Sequence, residues 1–283
     1  KRLEYRGYDS AGIATVHAGT LDRRRATGKL VNLQDLLVHE PLRGFSGIGH
    51  TRWATHGAPS VNNAHPHRSG RVAAVHNGII ENFRELRDEL TSHGAKFSSE
   101  TDTETIVHLV SRYLDDGMSP ADAAHATLQR LKGAFALAFI FEGEQDLLIA
   151  ARRGSPLVVG HGNGEMYVGS DAIALAPLTS KLTYLEEGDW AVLTRNSVHV
   201  FDTSRTKVER PITTITVENT TVDKSGHRHF MAKEMAEQPS VIQKALEAYT
   251  NENDSTLSLP DGATFVDTLR IVMLACGPAC QAR

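Results

Sequence analysis

Cysteine is nearly absent from this sequence, which has only Cys276 and Cys280 among its 283 residues. Two cysteines cannot build a disulfide framework, so we expect a reducing, cytoplasmic setting. One Cys-x-x-x-Cys pair is also too little for a zinc site. We expect Cys276 to end a buried strand, where a cysteine behaves as a small apolar side chain.

Long apolar runs and an excess of charge of one sign are also missing. No run approaches the roughly 20 residues that span a bilayer, and the first residues lack the apolar core of a signal peptide. Lys and Arg total 30 against 34 Asp and Glu, which gives a net charge of −4. We therefore expect neither nucleic acid nor a membrane as a partner.

Hydrophobic periodicity predicts three helices grouped between two sets of strands. The helices are expected over Ile80–His93, from Asp102 or Thr103 to about Gly117, and from the N-cap Ser119 to about Leu131. The predicted strands are Ala11–His17, Gly47–His50, Val72–His76, Ala134–Phe141, Leu147–Ala151, Leu157–Gly160, Met166–Val168, Leu182–Leu185, Trp190–Thr194 and Val198–Phe201. This grouping indicates an α+β protein with layered helices and sheets.

Both ends of the chain look cut, because Lys1–Tyr5 reads as the last turn of a helix and Arg283 follows a strand and a glycine turn. A domain rarely begins or ends inside an element, so we expect a piece of a longer protein. Near the C-terminal end of the sequence, His229–Tyr249 is predicted to be a long helix. Leu269–Cys276 is predicted to be a buried parallel strand that opens a second domain.

Four polar clusters lie close together in the first half of the chain. They are His50–Gly57, Asn63–His67, His76–Gly78 and Glu100–Glu104. Together they hold a cation, an anion, an amide donor and a glycine, which is what a site for an amino-acid-like ligand needs. No cysteine lies among them.

Arg52 and Asp102 are the charged residues of greatest interest in these clusters. The planar guanidinium of Arg52 matches both oxygens of a carboxylate, and Asp102 can hold an ammonium. The pair would recognise an α-amino acid by its charged ends. Alternatively, the two residues pair with each other or cap helices, since Asp102 stands where an N-cap is needed.

Asn77 and Gly78 also allow two interpretations. The Asn77 amide and the Gly78 N–H can form an oxyanion hole, which stabilises a developing negative oxygen. An Asn-Gly pair is more often a tight turn. A predicted helix follows here instead of a second strand, which weakens the turn interpretation without excluding it.

Histidines are frequent in the clusters, and they suggest a metal site. His65 and His67 form a His-x-His pair that Asp102 could complete. Pro66 interrupts the pair, however, and no third ligand has a characteristic spacing. We therefore predict no metal, and we interpret some of the histidines as structural groups of the loops.

Longer runs of the sequence carry a resemblance to a known family. They are Leu3–Gly12, His50–Gly57, Asn63–His67, His76–Asn82, Ser99–Glu104, Arg153–Leu157, Gly169–Asp171, Leu185–Asp189, His229–Met235 and Glu237–Pro239. In order and spacing they closely resemble the glutaminase domain of the glutamine–fructose-6-phosphate aminotransferase (isomerizing) family, the glucosamine-6-phosphate synthases. The amidophosphoribosyltransferases share the class-II amidotransferase plan but look less similar around residues 53–57 and 233–234.

The resemblance implies a fold and a division into domains. Residues 1–205 would be a glutaminase domain with the N-terminal-nucleophile fold, a four-layer αββα sandwich that lacks its first strand and its nucleophile. Residues 206–265 would be an interdomain linker and helix. Residues 266–283 would begin an α/β sugar-isomerase domain, in which Pro278 and Ala279 depart from the Thr and small hydroxyl residue that the family more often has at a phosphate contact.

The resemblance also implies a mechanism. In the family, a cysteine at the mature N terminus attacks the side-chain amide of glutamine, with its own α-amine as base. Here that cysteine would lie upstream of Lys1. Asn77 and Gly78 would form the oxyanion hole, and Trp53 would gate the passage of ammonia to the second domain.

The substrate's charged ends would be held by four residues of the clusters. These are Arg52, Thr55 and His56 at the carboxylate and Asp102 at the ammonium. The whole protein would make glucosamine 6-phosphate from glutamine and fructose 6-phosphate, without a cofactor and as a homodimer. We expect the chain as given to be inactive and at most to bind glutamine.

Three other functions stay open at this point. The chain could be a glutamine-binding domain that works without a nucleophile. It could be a glutaminase of the amidophosphoribosyltransferase type. It could also be a metal-dependent hydrolase that uses the histidines, which predicts stoichiometric zinc or iron.

Overall fold

The computed structural model describes residues 3–4, 7–54, 56–215 and 226–250, and the chain divides into two units, residues 1–222 and 223–283. Several predictions fall outside the described residues: Thr55, the strand Leu269–Cys276 and the sugar-isomerase segment 266–283. Those predictions stay predictions.

The first unit contains fourteen described strands and five described helices. In chain order these are β1 (Ser10–His17), β2 (Thr20–Thr27), α1 (Leu30–His39), β3 (Ser46–Arg52), β4 (His67–Ser69), β5 (Val72–Ile80), α2 (Phe83–Ser92), α3 (Asp102–Asp115), α4 (Pro120–Arg130), β6 (Gly133–Phe141), β7 (Glu144–Arg153), β8 (Val158–His161), β9 (Met166–Gly169), α5 (Ala172–Leu175), β10 (Lys181–Tyr184), β11 (Trp190–Leu193), β12 (Val198–Phe201), β13 (Lys207–Val208) and β14 (Ile212–Thr214).

A seven-stranded antiparallel sheet, in the order β13-β12-β11-β7-β6-β5-β4, is the centre of the unit. Its strand β6 is buried on both faces, and its side chains alternate. Phe135 and Phe139 pack against helices α2, α3 and α4. Ala138 and Ile140 pack against the other layer, where their small or compact side chains meet β1 and β3.

The other layer consists of two smaller sheets, β2-β1-β3 and β14-β10-β8-β9. Helix α1 packs on β1 and β2, and α5 packs on β9, so helices cover this layer on the outside. The order of layers is helix, sheet, sheet, helix. The predicted α+β αββα sandwich is confirmed.

Strand β5 differs from its prediction, because it extends to Ile80 instead of ending at His76. All nine of its residues pair with β6, from Val72 opposite Phe141 to Ile80 opposite Gly133. Helix α2 therefore begins at Phe83, three residues later than predicted. The ladder continues because Gly78 lets the two strands approach closely, as described below.

The predicted boundary at residue 205 remains a prediction. Strands β13 and β14 lie beyond that residue, yet they pair with β12 and β10 of the first unit. The second unit has one described helix, α6 (Phe230–Tyr249), where a helix was predicted. Across the described ranges, no helix is both long and apolar enough to cross a membrane.

Candidate active site

A cavity of about 270 Å³ opens where β3, β5 and β6 meet the start of α3. Three of the four polar clusters line the cavity with two or more residues each, and the cluster Asn63–His67 lines it with His65. The polar residues that line it include His50, Arg52, His56, His65, His76, Asn77 and Asp102. The fold thus brings these seven side chains together, although His50 and Asp102 are 52 positions apart in the sequence.

Arg52 ends strand β3 and is buried, with 3% of its surface exposed. Its Nη2 donates hydrogen bonds to the carbonyl oxygens of His56 and Gly57. Its Nη1 lies 3.8 Å from Asp9 Oδ1 and has no hydrogen-bond partner among the described residues. Burial lowers the pKa of Arg52, while the charges of Asp9 and Asp102 oppose that shift. One edge of a buried guanidinium therefore faces the Asp9 carboxylate without a hydrogen bond, so it retains the capacity to donate one to an anion.

Asp102 is the first residue of α3, and the N-cap is Thr101, so the N-cap interpretation of Asp102 is wrong. Its Oδ2 accepts a hydrogen bond of 2.9 Å from the backbone N–H of Ile80, at the end of β5. Its Oδ1 accepts one from the hydroxyl of Thr103. The ion pairs within 4.0 Å in the described residues do not join Asp102 to Arg52. A buried carboxylate and a buried guanidinium thus share the cavity without neutralising each other directly.

Asn77 and Gly78 lie inside β5, so the tight-turn interpretation is wrong. Gly78 has φ +131°, a conformation that favours glycine. A Cβ at this position would lie 2.1 Å from the carbonyl oxygen of Ala134 on β6, so the close pairing of the strands also requires glycine. The exposed Asn77 and the adjacent Gly78 both line the cavity, on the side formed by β5 and β6.

His56 and Trp53 lie in the segment that follows Arg52. The His56 ring packs edge-on against Phe83 at 5.1 Å, and its buried Nδ1 has no partner in the described part of the chain. Trp53 is 68% exposed at the lip of the cavity. Its ring covers Gly7, where a Cβ would lie only 2.6 Å from the indole. Trp53 therefore stands where a ligand would enter, and His56 lines the cavity.

Four histidines of the clusters form a hydrogen-bonded group along the wall of the cavity, in which His65, His67 and His76 are buried and His50 is half-buried. His65 Nδ1 lies 3.1 Å from His50 Nδ1, and His67 Nε2 lies 2.9 Å from Thr101 Oγ1. Burial, with positive neighbours, lowers the pKa of His50 to about 3 and that of His67 to about 3. The pKa of His65 is held well below its ordinary value of 6.5 for the same reason. These histidines are neutral at physiological pH.

The described residues contain no group of three His, Cys, Asp or Glu side chains placed to share a metal ion. The ring nitrogens instead face hydroxyl groups and one another, as in the His65 Nε2 to Thr103 Oγ1 contact of 2.8 Å. These contacts fit a structural role for the histidines, but His50, His67 and His76 lie on strands β3, β4 and β5, and only His65 of this group lies in a loop.

Two residues of the site were missed by the sequence reasoning. Asp9 accepts a hydrogen bond from the backbone N–H of Ala54 and so holds the segment after Arg52. Thr103 contacts both His65 and Asp102. Asp9 and Thr103 do stand in runs that carry the family resemblance, but nothing in their local pattern indicates a role.

Strands β3 and β9 are the outer strands of the two smaller sheets on neighbouring sides of the site. The second halves of both strands line the cavity described above. A second cavity of about 350 Å³ is lined by their first halves and by Leu148 of β7. Together the two cavities extend along both strands and lie over one face of the seven-stranded sheet.

Comparisons with known proteins agree with this geometry. A family model described as a glutamine amidotransferase domain matches residues 50–177, which include most of the cavity. The structure resembles the glutamine phosphoribosylpyrophosphate amidotransferase of B. subtilis, with a TM-score of 0.61 and 27% identity over 73% of this chain and 45% of that one. A solved structure of the allosteric regulatory enzyme of purine biosynthesis gives a TM-score of 0.62 at 27% identity, over 72% of this chain and 45% of that one. The fold is that of the glutamine amidotransferases of the N-terminal-nucleophile type.

Sequence relatives place the chain more narrowly within that family. It is 58% identical over its whole length to a protein of Brucella abortus named glutamine–fructose-6-phosphate aminotransferase (isomerizing). It is 56% identical to a protein of the same name from Bradyrhizobium diazoefficiens, again over its whole length. The chain is similar to this aminotransferase group over its whole length, and it spans 47% of the length of each of these relatives.

Proposed function

We propose that the cavity binds glutamine and that the domain releases ammonia from it. The observation that carries this proposal is the pair of buried, opposite charges on one cavity, Arg52 and Asp102, which no ion pair within 4.0 Å joins in the described residues. A guanidinium and a carboxylate held apart in this way match the two charged ends of an α-amino acid.

In this proposal Arg52 binds the substrate carboxylate through Nη1, which has no hydrogen-bond partner among the described residues, helped by Thr55 and His56. Asp102 binds the α-ammonium. Asn77 and Gly78 stabilise the negative oxygen that develops on the side-chain amide. Their place on β5, across the cavity from the end of β3, supports that division of roles.

The attacking group in this proposal is a cysteine on an additional strand. Strands β3 and β9 each have one edge without a partner among the described strands, and both line the two cavities. An extended segment placed between them would hydrogen-bond to both edges and join the two smaller sheets. It would deliver its first residue to the cavity that holds Arg52.

For the whole protein we propose the activity named in its relatives, the synthesis of glucosamine 6-phosphate from glutamine and fructose 6-phosphate. In this scheme residues 266–283 begin the sugar-isomerase domain, Trp53 gates the passage of ammonia, and the protein is a cytoplasmic homodimer. The identity of 58% over the whole chain supports this function over that of the amidophosphoribosyltransferases, which share 27%.

Calorimetry with the 283-residue chain tests the binding step. Wild type should bind L-glutamine, and Arg52→Ala should weaken binding by about 10- to 100-fold, because a charge-assisted hydrogen bond contributes about 1.5–3 kcal/mol. Arg43→Ala is the matched control, since Arg43 is exposed and does not line the cavity. Glutamine binding that survives Arg52→Ala unchanged would contradict the assignment of the pocket.

Glutamine hydrolysis tests the catalytic step. The chain is extended before Lys1 by a strand that begins Met-Cys-Gly, and ammonia release is followed with glutamine as substrate. We expect hydrolysis by this protein and none by the version in which the added cysteine is alanine. If the extended protein binds glutamine but releases no ammonia, the alternative of a glutamine-binding domain is favoured.

A further inference from the structure

One buried hydroxyl joins the histidine group to Asp102. Thr103 is 1% exposed and does not line the cavity. Its Oγ1 lies 2.8 Å from His65 Nε2, 3.2 Å from His76 Nδ1 and 3.4 Å from Asp102 Oδ1. Three polar groups therefore converge on an atom that the ligand itself does not reach.

The direction of the protons in this group follows from the chemistry of its members. A hydroxyl has one proton to donate, and an ionised carboxylate can only accept. Thr103 therefore donates to Asp102 and accepts from both His65 Nε2–H and His76 Nδ1–H. His65 Nδ1 is then an acceptor, and it receives the proton of His50 Nδ1–H at 3.1 Å.

This arrangement requires His65 to be neutral, because one of its ring nitrogens donates and the other accepts, and it is compatible with neutral His50 and His76. Burial lowers the pKa of each below its ordinary value of 6.5, which agrees with that requirement. Neutral rings can orient the carboxylate of Asp102 without cancelling its charge. A protonated ring beside Asp102 would instead act as its counter-ion and compete with a ligand ammonium.

The second oxygen of Asp102 is fixed as well. Oδ2 accepts from the backbone N–H of Ile80 at 2.9 Å, and His76 Nδ1 lies 3.7 Å away. Each oxygen of Asp102 thus has one defined donor inside the protein. The remaining lone pairs of the carboxylate stay available for a ligand.

We propose that Thr103, backed by His50, His65 and His76, is a positioning residue that holds the Asp102 carboxylate towards the α-ammonium of the ligand. It thereby sets the preference of the site for α-amino acids over carboxylates that carry the same amide without an amine. This inference rests on the proposed binding of glutamine at this cavity.

The test compares two ligands that differ only at the group which Asp102 would hold. L-glutamine and glutaramate, which is glutamine without its α-amino group, are titrated into wild type, Thr103→Val and Thr103→Ser by calorimetry. We expect Thr103→Val to weaken glutamine binding by about tenfold, because a hydrogen bond to a charged group is lost. Glutaramate binding should change by less than about twofold, since it makes no contact with Asp102. Thr103→Ser keeps the hydroxyl and should restore the preference for glutamine.

The other outcomes contradict either the inference about Thr103 or the proposed function. Equal weakening of both ligands by Thr103→Val would mean that the residue acts only on the shape of the pocket, and unchanged glutamine binding would mean that it has no role. Both results would overturn the inference and leave the proposed function standing. Failure of wild type to bind either ligand would overturn the proposed function as well.

A second variant covers the case in which Thr103→Val does not fold. His65→Gln keeps an N–H donor directed at Thr103 but removes the acceptor nitrogen that His50 uses. It should weaken glutamine binding by about threefold and leave glutaramate binding unchanged. Loss of affinity for both ligands in this folded variant would again overturn the inference.

Discussion

Gly78 is constrained both by its own backbone and by the neighbouring strand. Its φ of +131° is costly for any residue with a Cβ, and the carbonyl oxygen of Ala134 fills the space that a Cβ would need. The sequence indicates a glycine with a special role, but the Asn-Gly pair alone is equally typical of a turn. The pairing of β5 with β6 decides between the two, and that contact joins residues more than 50 positions apart.

We expect Gly78→Ala to lower the free energy of unfolding by about 3 kcal/mol or more, from backbone strain and from the clash with β6. Gly94→Ala is the matched control, because Gly94 also has a positive φ of +91° but a Cβ there would meet no atom within 4 Å. That control should cost only about 1–2 kcal/mol. Urea unfolding measures both, and equal losses would contradict the role assigned to the close approach of the strands.

Arg52 and Asp102 show what the sequence could predict about the site. Their charges and positions indicated binding of an α-amino acid, but local pattern could not exclude a salt bridge between them. That question depends on the distance between the end of β3 and the start of α3, which the whole fold determines. Thr103 escaped prediction for a related reason, since its contacts with His65 and His76 arise only when the loop before β4 and strand β5 pack on α3.

Among the elements, helix α3 binds the loop that precedes it through the carboxylate of Glu104. Glu104 Oε1 accepts hydrogen bonds of 2.8 Å from the backbone N–H and the hydroxyl of Ser98, and Oε2 accepts bonds of 2.7 Å from the same groups of Ser99. Burial by itself would raise the pKa of Glu104, but these bonds and the nearby His108 outweigh it and hold the pKa well below its ordinary value. The loop that precedes Asp102 is thus tied to the helix.

We expect Glu104→Gln to lower the free energy of unfolding by about 2 kcal/mol, because an amide accepts fewer of these bonds and carries no charge. The pKa of Glu104 is depressed in the folded state, so its contribution is present above the ordinary value of 4.5 and is lost as the pH falls below it. Glu85→Gln, in the exposed first turn of α2, is the control and should change stability little. Urea midpoints at neutral pH that are equal for the two variants would refute the assigned role.

Strand β2 illustrates an element that periodicity did not predict. Its sequence, Thr-Leu-Asp-Arg-Arg-Arg-Ala-Thr, has no alternating apolar pattern. The strand is at the edge of its sheet, and its arginines contact a polar loop: Arg25 donates to the carbonyl oxygen of Ala64 at 2.8 Å, and Arg23 to that of Pro66 at 3.1 Å. The strands β6, β7 and β11, which lie inside the central sheet, were predictable because burial itself makes their sequences apolar.

For the molecule as a whole, the buried neutral histidines predict sensitivity to acid. His50 and His67 have a pKa of about 3 in the folded protein against an ordinary value of 6.5. The unfolded chain therefore binds more protons than the folded one between these values. Stability should be unaffected by these groups above pH 6.5 and should fall as the pH decreases from there towards 3.

Urea unfolding at about pH 7.5 and at about pH 5 measures this fall, in a range where the contribution of Glu104 stays constant. His67→Gln keeps an N–H donor for Thr101 but cannot take up a proton, so the fall should be smaller in this variant. His199→Gln is the control, because His199 is exposed on β12. A fall of the same size in wild type and in His67→Gln would contradict the prediction.

The arrangement of layers is the part of the whole molecule that the sequence predicted best, through the family resemblance. The separation of the second layer into two smaller sheets was not predicted. Which strands pair depends on contacts between distant segments, such as β10 with β14, and no local pattern encodes them.

The two tryptophans of the chain lie in opposite environments, and this gives the protein two built-in optical probes. Trp190 is 2% exposed, stacks on Phe201 and donates its indole N–H to the carbonyl oxygen of Asp202. Trp53 stands in water at the mouth of the cavity. A soluble quencher therefore reaches Trp53 long before Trp190, so the accessible part of the fluorescence reports on occupancy of the cavity while the protected part reports on the integrity of the core.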